Sequence, residues 1–129
     1  MSYRPIHIVF DTSAVIEYVR GSDHVGEVLV EIDAEDAAAG IPFLCLSEAY
    51  PYATDRDRLS LLVTHPAVRI LSDEPWSWQA HAATRDIVGR PDAASAAGAA
   101  MNEQRWVLTR QPGLYAGISG GDLAIEIPD

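Results

Sequence analysis

The sequence contains no lysine: all nine of its basic residues are arginines. This absence excludes two kinds of small α/β protein that handle phosphate. A P-loop needs the lysine of its Gly-Lys-Ser/Thr motif, and a phosphorelay receiver domain needs a lysine after its last strand. Haloacid-type phosphatases are excluded by a second absence, because the Asp-x-Asp that they require after the first strand is replaced here by Asp11-Thr12-Ser13.

Cysteine and long apolar runs are also scarce. Cys45 is the single cysteine, so no internal disulfide can form, and its apolar neighbours predict a buried strand thiol in a reducing compartment. No apolar run approaches the roughly 20 residues that a membrane helix needs. The apolar segment at residues 6–10 is too short for the core of a signal peptide. We therefore expect a cytoplasmic protein.

Acidic residues outnumber basic ones by 19 to 9, which gives a net charge of -10 at pH 7. A protein this acidic does not attract nucleic acid through its general field, so any such contact must come from local arginines or from bound metal ions. The length of 129 residues fits one domain, which we expect to cover residues 1–129.

Strand-like and helix-like segments alternate along the chain, which predicts an α/β fold with a mostly parallel sheet of about five strands between helices. The predicted strands are residues 6–10, 41–46, 68–71, 106–109 and 123–127. The predicted helices are residues 12–20, 24–39, a segment beginning near 47, 55–64, a segment from 72 toward 88, and 93–101. Gly40 is expected to stop the second of these helices.

Three acidic residues are expected at the carboxyl edge of this sheet, where open parallel sheets bind their ligands. Asp11 directly follows the first strand, Glu48 lies just past the second, and Asp92 opens an alanine-rich helix. Converging carboxylates repel one another unless a cation neutralises them, and an all-oxygen cluster suits Mg²⁺ or Mn²⁺. Each acid also has a purely structural interpretation: Asp11 and Asp92 as helix N-caps, and Glu48 as a first-turn acid.

Four segments stand in order along nearly the whole chain: Val9-Phe10-Asp11-Thr12-Ser13-Ala14, Ser47-Glu48, Asp92-Ala93-Ala94 and Leu108-Thr109-Arg110-Gln111-Pro112-Gly113-Leu114-Tyr115. Together they resemble the PIN-domain family. The resemblance implies a PIN-like fold and a metal-dependent ribonuclease, as in the toxin half of VapBC toxin–antitoxin pairs. It implies Asp11, Glu48 and Asp92 as catalytic ligands of Mg²⁺ or Mn²⁺. It also implies RNA, an antitoxin protein and a second copy of the chain as partners.

The residues around these acids receive supporting roles from the same resemblance. Thr12, Ser13 or Thr109 would orient the metal ligands. Arg110 adjoins the predicted metal site, and from this position we expect it to hold an RNA phosphate, although an arginine with no role at a strand end is the alternative. Gln111 stands where the family usually has an Asp or Asn. This departure, together with the acidic composition, favours a second hypothesis: a degenerate PIN domain that binds RNA or a protein without efficient cleavage.

Overall fold

The structure is a computed structural model that describes residues 3–128, and it is built around one parallel β-sheet. The strands are Ile6–Phe10 (β1), Ala38–Pro42 (β2), Val68–Leu71 (β3), Trp106–Thr109 (β4) and Ala124–Glu126 (β5). Their order is β3-β2-β1-β4-β5, and every neighbouring pair is parallel. The predicted α/β class and the five-stranded parallel sheet are therefore confirmed.

Within residues 3–128, six α-helices cover the two faces of the sheet. They are Thr12–Val19 (α1), Asp23–Ala34 (α2), Phe43–Ala49 (α3), Arg56–Val63 (α4), Trp78–Val88 (α5) and Pro91–Glu103 (α6). One apolar core joins the sheet to α1, α2 and α4, and a second joins its other face to α5 and α6. The alanines of α6 lie at the centre of the second core, where their small side chains allow the helix to pack closely on the strands.

The predicted boundaries of the second helix and second strand are wrong. The helix ends at Ala34 rather than at residue 39, because the chain turns at Asp36, which has a positive φ of 56°. The strand then begins at Ala38 and is complete at Pro42, so residues 41–46 are not one strand. Gly40 lies inside β2 instead of stopping a helix, and a Cβ there would come within 2.7 Å of Leu71 Cδ1 on β3.

The apolar segment that was predicted as the end of this strand forms α3. Its sequence Phe-Leu-Cys-Leu is a short apolar run, whose periodicity does not distinguish a strand from a buried helix. Pro42 ends the strand and occupies the N-cap of α3, where its missing N–H costs nothing. Cys45 is buried as expected, but in a helix, and Glu48 lies in the last turn of α3 rather than in a first turn.

Two helix starts also differ from the sequence prediction. The segment after β3 begins with a short 3₁₀ helix at Pro75–Ser77, and α5 starts only at Trp78. The N-cap of α6 is Arg90, so Asp92 lies in the first turn and is not the cap. Within residues 3–128, no helix is both long enough and apolar enough to cross a membrane.

The strand order creates a crevice at the centre of the sheet. From β1 the chain continues to β2 on one side, and from β4 it continues to β5 on the other, so connections diverge between β1 and β4. Phe10 pairs with Leu108 across these two strands, which brings the residues that follow, Asp11 and Thr109, side by side. Such a switch point at the carboxyl edge is where open α/β sheets bind ligands.

Candidate metal and phosphodiester site

A pocket of about 440 Å³ opens at this switch point. Its volume lies within the range of about 300–1,000 Å³ that is usual for ligand sites. The charged residues of its lining are Asp11, Glu17, Arg20, Glu48, Arg90, Asp92 and Arg110. The three predicted acids therefore line one pocket although they come from distant parts of the chain, and arginines surround them.

Asp11 is held in place by neutral donors. Its Oδ1 accepts hydrogen bonds from the Ser13 hydroxyl (2.7 Å) and the Ala14 amide (3.1 Å), so it caps α1 as the structural interpretation expected. Its Oδ2 accepts a hydrogen bond from the Tyr115 hydroxyl at 2.8 Å. The residue is only 3% exposed. Because all three donors are neutral, hydrogen bonding fixes this carboxylate without cancelling its charge.

Asp92 is bound by a cation of the protein itself. Arg90 Nε donates to Oδ1 at 3.0 Å and Arg90 Nη2 donates to Oδ2 at 2.9 Å. The Thr12 hydroxyl also donates to Oδ2, at 2.6 Å. Burial by itself would raise the pKa of Asp92, but the hydrogen bonds from Thr12 and Arg90 outweigh it and hold this pKa below its ordinary value of 3.8.

Glu48 reaches the pocket from the last turn of α3 and is exposed. Its influence is seen at Arg90, whose pKa is raised first by the hydrogen bonds that Arg90 donates to Asp92, against partial burial. The negative charges of Asp92, Glu48 and Asp11 raise it further. The three predicted acids thus all act on one guanidinium.

The end of β4 is tied to Asp11 through Ser13. The Ser13 hydroxyl lies 3.2 Å from the Thr109 hydroxyl and accepts a hydrogen bond from the Arg110 amide at 2.8 Å. Thr109 is fully buried, and its Oγ1 accepts a hydrogen bond from the Gln111 amide at 2.9 Å. Ser13 and Thr109 therefore position the Asp11 carboxylate, while the Gln111 side chain is exposed in the pocket lining.

Arg110 has protein partners at the edge of the pocket. Its Nη1 donates to the Ile127 carbonyl oxygen at 3.2 Å, and its Nε lies 4.0 Å from Glu17 Oε1. These contacts hold the side chain along the end of the sheet. Its role toward an RNA phosphate stays a prediction.

Buried side chains close the pocket from behind. Cys45 Sγ donates to the Asp92 carbonyl oxygen at 3.2 Å, and burial, followed by the charge of Asp11, raises the pKa of this thiol. Burial and the same charge raise the pKa of the Tyr115 hydroxyl, which therefore stays protonated and keeps donating to Asp11. The inner wall contributes hydrogen-bond donors and no additional charge.

The donor atoms of the pocket suit a hard divalent cation, since carboxylate oxygens are what Mg²⁺ and Mn²⁺ prefer. In the observed conformation, however, the Asp92 carboxylate is paired with the guanidinium of Arg90. Among residues 3–128, no three acidic, histidine or cysteine side chains come close enough together to hold a metal ion. The carboxylate donors are therefore of the kind that Mg²⁺ and Mn²⁺ prefer, but binding one ion requires both that these carboxylates move closer together and that Asp92 is released from Arg90.

Arg90 and Tyr115, which bind two of the predicted acids directly, were not identified from the sequence. Arg90 stands two positions before Asp92, and this short spacing was the available signal. Tyr115 is 104 residues away from the carboxylate that it binds, so no local pattern could have indicated it.

Comparisons with solved structures agree with the fold. The protein PAE2754 from Pyrobaculum aerophilum is similar to this chain with a TM-score of 0.64 and 18% identity, over 89% of this chain and 81% of that one. A chain of VapBC2 from Rickettsia felis, solved with a DNA fragment from their promoter, is similar with a TM-score of 0.69 and 10% identity, over 94% and 98% of the two chains. No protein-family model and no curated protein sequence matches. The structural similarity shows a PIN-like fold, and at these low identities it does not assign an activity.

Proposed function

We propose that this chain is a metal-dependent ribonuclease of the PIN type, with Asp11, Glu48 and Asp92 as ligands of Mg²⁺ or Mn²⁺. The observation that carries the proposal is that these three carboxylates line one pocket at the switch point of a PIN-like sheet. Asp11 and Asp92 are buried there. Buried carboxylates that serve stability alone are usually paired or neutralised, whereas Asp11 accepts hydrogen bonds only from neutral groups.

A divalent ion bound in this pocket would lower the pKa of a coordinated water and stabilise charge on the phosphate oxygens. The protein's own residues supply the orientation. Ser13 and Tyr115 fix the two oxygens of Asp11, and Thr12 fixes one oxygen of Asp92. Hydrogen bonds of this kind orient ligand side chains for binding a metal ion.

The arginines of the pocket favour a phosphodiester as substrate. Arg20, Arg90 and Arg110 all contribute to the lining, and guanidinium groups bind phosphate oxygens in a fork geometry. Because the net charge of the protein is -10, its affinity for RNA has to come from these few local contacts and from the ion. We expect binding that weakens only moderately as salt is added, because the salt dependence scales with the number of phosphates contacted.

By analogy with the VapBC2 complex, we propose an antitoxin protein as the partner of this chain. Co-expression with the product of any small open reading frame beside its gene, followed by co-purification, tests this proposal. A toxin is expected to inhibit growth when expressed alone and to be neutralised in the complex. A chain that does not affect growth, and does not co-purify with that product, would count against the assignment.

A second candidate function is a PIN-like domain that binds RNA or a protein without cleaving it. Gln111 favours it, because this exposed residue of the pocket carries a neutral amide where an acid would strengthen the binding of a second ion. The two candidates differ in what happens when that charge is restored.

The experiment that tests the proposal is cleavage of labelled single-stranded RNA with and without Mn²⁺. We expect slow Mn²⁺-dependent cleavage by the wild type, faster cleavage by Gln111→Asp, and none by Asp11→Asn. Asparagine still caps a helix, so this substitution tests the charge rather than the fold. Asp57→Asn, on the exposed face of α4, is the matched control and should behave like the wild type. Absence of cleavage by both the wild type and Gln111→Asp would favour the binding module.

A further inference from the structure

Arg90 makes the closest approach of any cation to the acids of the pocket. It is the N-cap of α6 in an extended conformation (φ −143°, ψ 139°), and its guanidinium forms two parallel hydrogen bonds with the two oxygens of Asp92. Bidentate pairs of this kind are among the stronger hydrogen-bonded contacts in proteins. The pair joins residues only two positions apart, so it adds little to holding distant elements together.

The two partners differ in their freedom to move. The Asp92 side chain is 6% exposed and belongs to a helix packed on the sheet, whereas the Arg90 side chain is 42% exposed. Arg90 can therefore turn out into water without opening the core. Asp92 cannot follow it, because the Thr12 hydroxyl also binds its Oδ2.

Asp92 has little capacity left for a metal ion while Arg90 is bound. Its Oδ2 already accepts two hydrogen bonds, from Thr12 and Arg90, and its Oδ1 accepts one. A divalent ion beside a guanidinium would also be repelled by it. The raised pKa of Arg90, caused first by its hydrogen bonds with Asp92 and then by the nearby carboxylate charges, agrees with a cation held at the centre of the cluster.

We propose that Arg90 is a resident counter-ion of this pocket, which competes with a divalent metal ion for Asp92 and has to release that carboxylate before the ion can bind. This inference rests on the proposed metal-dependent function, and it adds that Arg90 regulates metal binding at the same site. The apparent affinity for the ion is then reduced by the fraction of molecules in which Arg90 remains bound. While Arg90 is bound, the charge of Asp92 is balanced without a metal ion.

Titration of the purified proteins with Mn²⁺ by calorimetry tests this directly. We expect weak binding by the wild type and binding about tenfold tighter or more by Arg90→Gln, since a charge-assisted pair no longer has to be broken. Arg85→Gln removes an exposed arginine from the last turn of α5, outside the pocket lining, and should bind like the wild type. Arg90→Lys keeps the charge but not the fork, and its affinity should lie between those of wild type and Arg90→Gln; it decides the matter if Arg90→Gln does not fold.

The outcomes separate this inference from the proposed function. Equal Mn²⁺ affinity in the wild type, Arg90→Gln and Arg85→Gln would overturn the competition and leave the ribonuclease proposal standing. Tighter binding by Arg90→Gln without RNA cleavage by any variant would support the competition and count against the ribonuclease. If neither the wild type nor any variant bound Mn²⁺, both the competition and the metal-dependent ribonuclease would be overturned, because there would be no metal site for Arg90 to block.

Discussion

At the scale of single residues, the three predicted acids of the pocket differ in how their negative charge is stabilised. Asp11 accepts hydrogen bonds from neutral groups, Asp92 pairs with an arginine, and Glu48 remains exposed to water. Water screens the charge of Glu48, but it screens a buried charge much less. The uncompensated charge therefore lies at Asp11, which makes this residue the strongest candidate for a metal ligand.

The hydrogen bond from Thr12 to Asp92 predicts a pH-dependent stability. Because the folded pKa of Asp92 is lowered, this carboxyl stabilises the fold above its ordinary pKa of 3.8, and that contribution is lost as the pH falls through the folded value. Thr12→Val removes one donor and makes the pKa less depressed. We expect it to lower the free energy of unfolding by about 1–3 kcal/mol at neutral pH. The difference from wild type should shrink as the pH falls below the ordinary value of 3.8.

Urea unfolding of the wild type and Thr12→Val, from neutral pH to below pH 3.8, measures this difference in the free energy of unfolding. Thr54→Val is the control, because Thr54 is exposed in the loop before α4 and should show no such dependence. A Thr12→Val deficit that stays constant with pH would mean that the hydrogen bond does not act through the ionisation of Asp92.

At the scale of elements, two glycines predict opposite effects of the same substitution. Gly98 lies inside α6 and a Cβ there would meet nothing within 4 Å. Gly98→Ala should therefore raise the free energy of unfolding by about 0.4–1 kcal/mol. Gly40 lies inside β2, where a Cβ would come within 2.7 Å of Leu71 Cδ1 and 3.2 Å of Ile6 Cδ1. Gly40→Ala should lower the free energy of unfolding by about 1–3 kcal/mol.

Chemical unfolding of both variants beside the wild type checks this pair. If Gly40→Ala were as stable as Gly98→Ala, the strands on either side of β2 would be less tightly packed than described. The comparison is internally matched, since each variant adds one methyl group.

The elements that were predicted correctly had unambiguous local signals. The strands β1, β3 and β4 were found within their observed limits because β-branched or apolar residues fill short segments with clear ends. The segment at residues 41–46 was misassigned since its apolar run suits a strand or a buried helix equally. Its conformation was decided by tertiary packing, in which α3 contacts both α1 and α6.

Part of the candidate site followed from one topological rule, that parallel strands present their carboxyl ends at the same edge. The rule locates Asp11, which directly follows β1. Asp92 follows no strand, and its place at this edge depended on the packing of α6 beside β1. The rule does not predict the side-chain partners. The pair between Arg90 and Asp92 depends on the rotamer of Arg90, and the hydrogen bond from Tyr115 to Asp11 joins residues that are 104 positions apart in the sequence.

At the scale of the whole molecule, charge is distributed unequally. The protein carries a net charge of -10, yet arginines from three separate elements or loops line the acidic pocket. An acidic surface repels RNA in general, while these arginines offer phosphate contacts in one place. This distribution favours short, local contacts with a substrate over extended coating of nucleic acid.

The most direct test of the central claim is a crystal structure of the protein soaked in Mn²⁺, read by anomalous scattering. We predict an ion in the pocket, bound by the carboxylates of Asp11, Glu48 and Asp92, with Arg90 turned away from Asp92. Asp11→Asn, soaked in the same way, should show no ion there. The account would be contradicted if Mn²⁺ bound only outside this pocket. It would also be contradicted if no ion bound at saturating Mn²⁺ and Arg90 remained paired with Asp92.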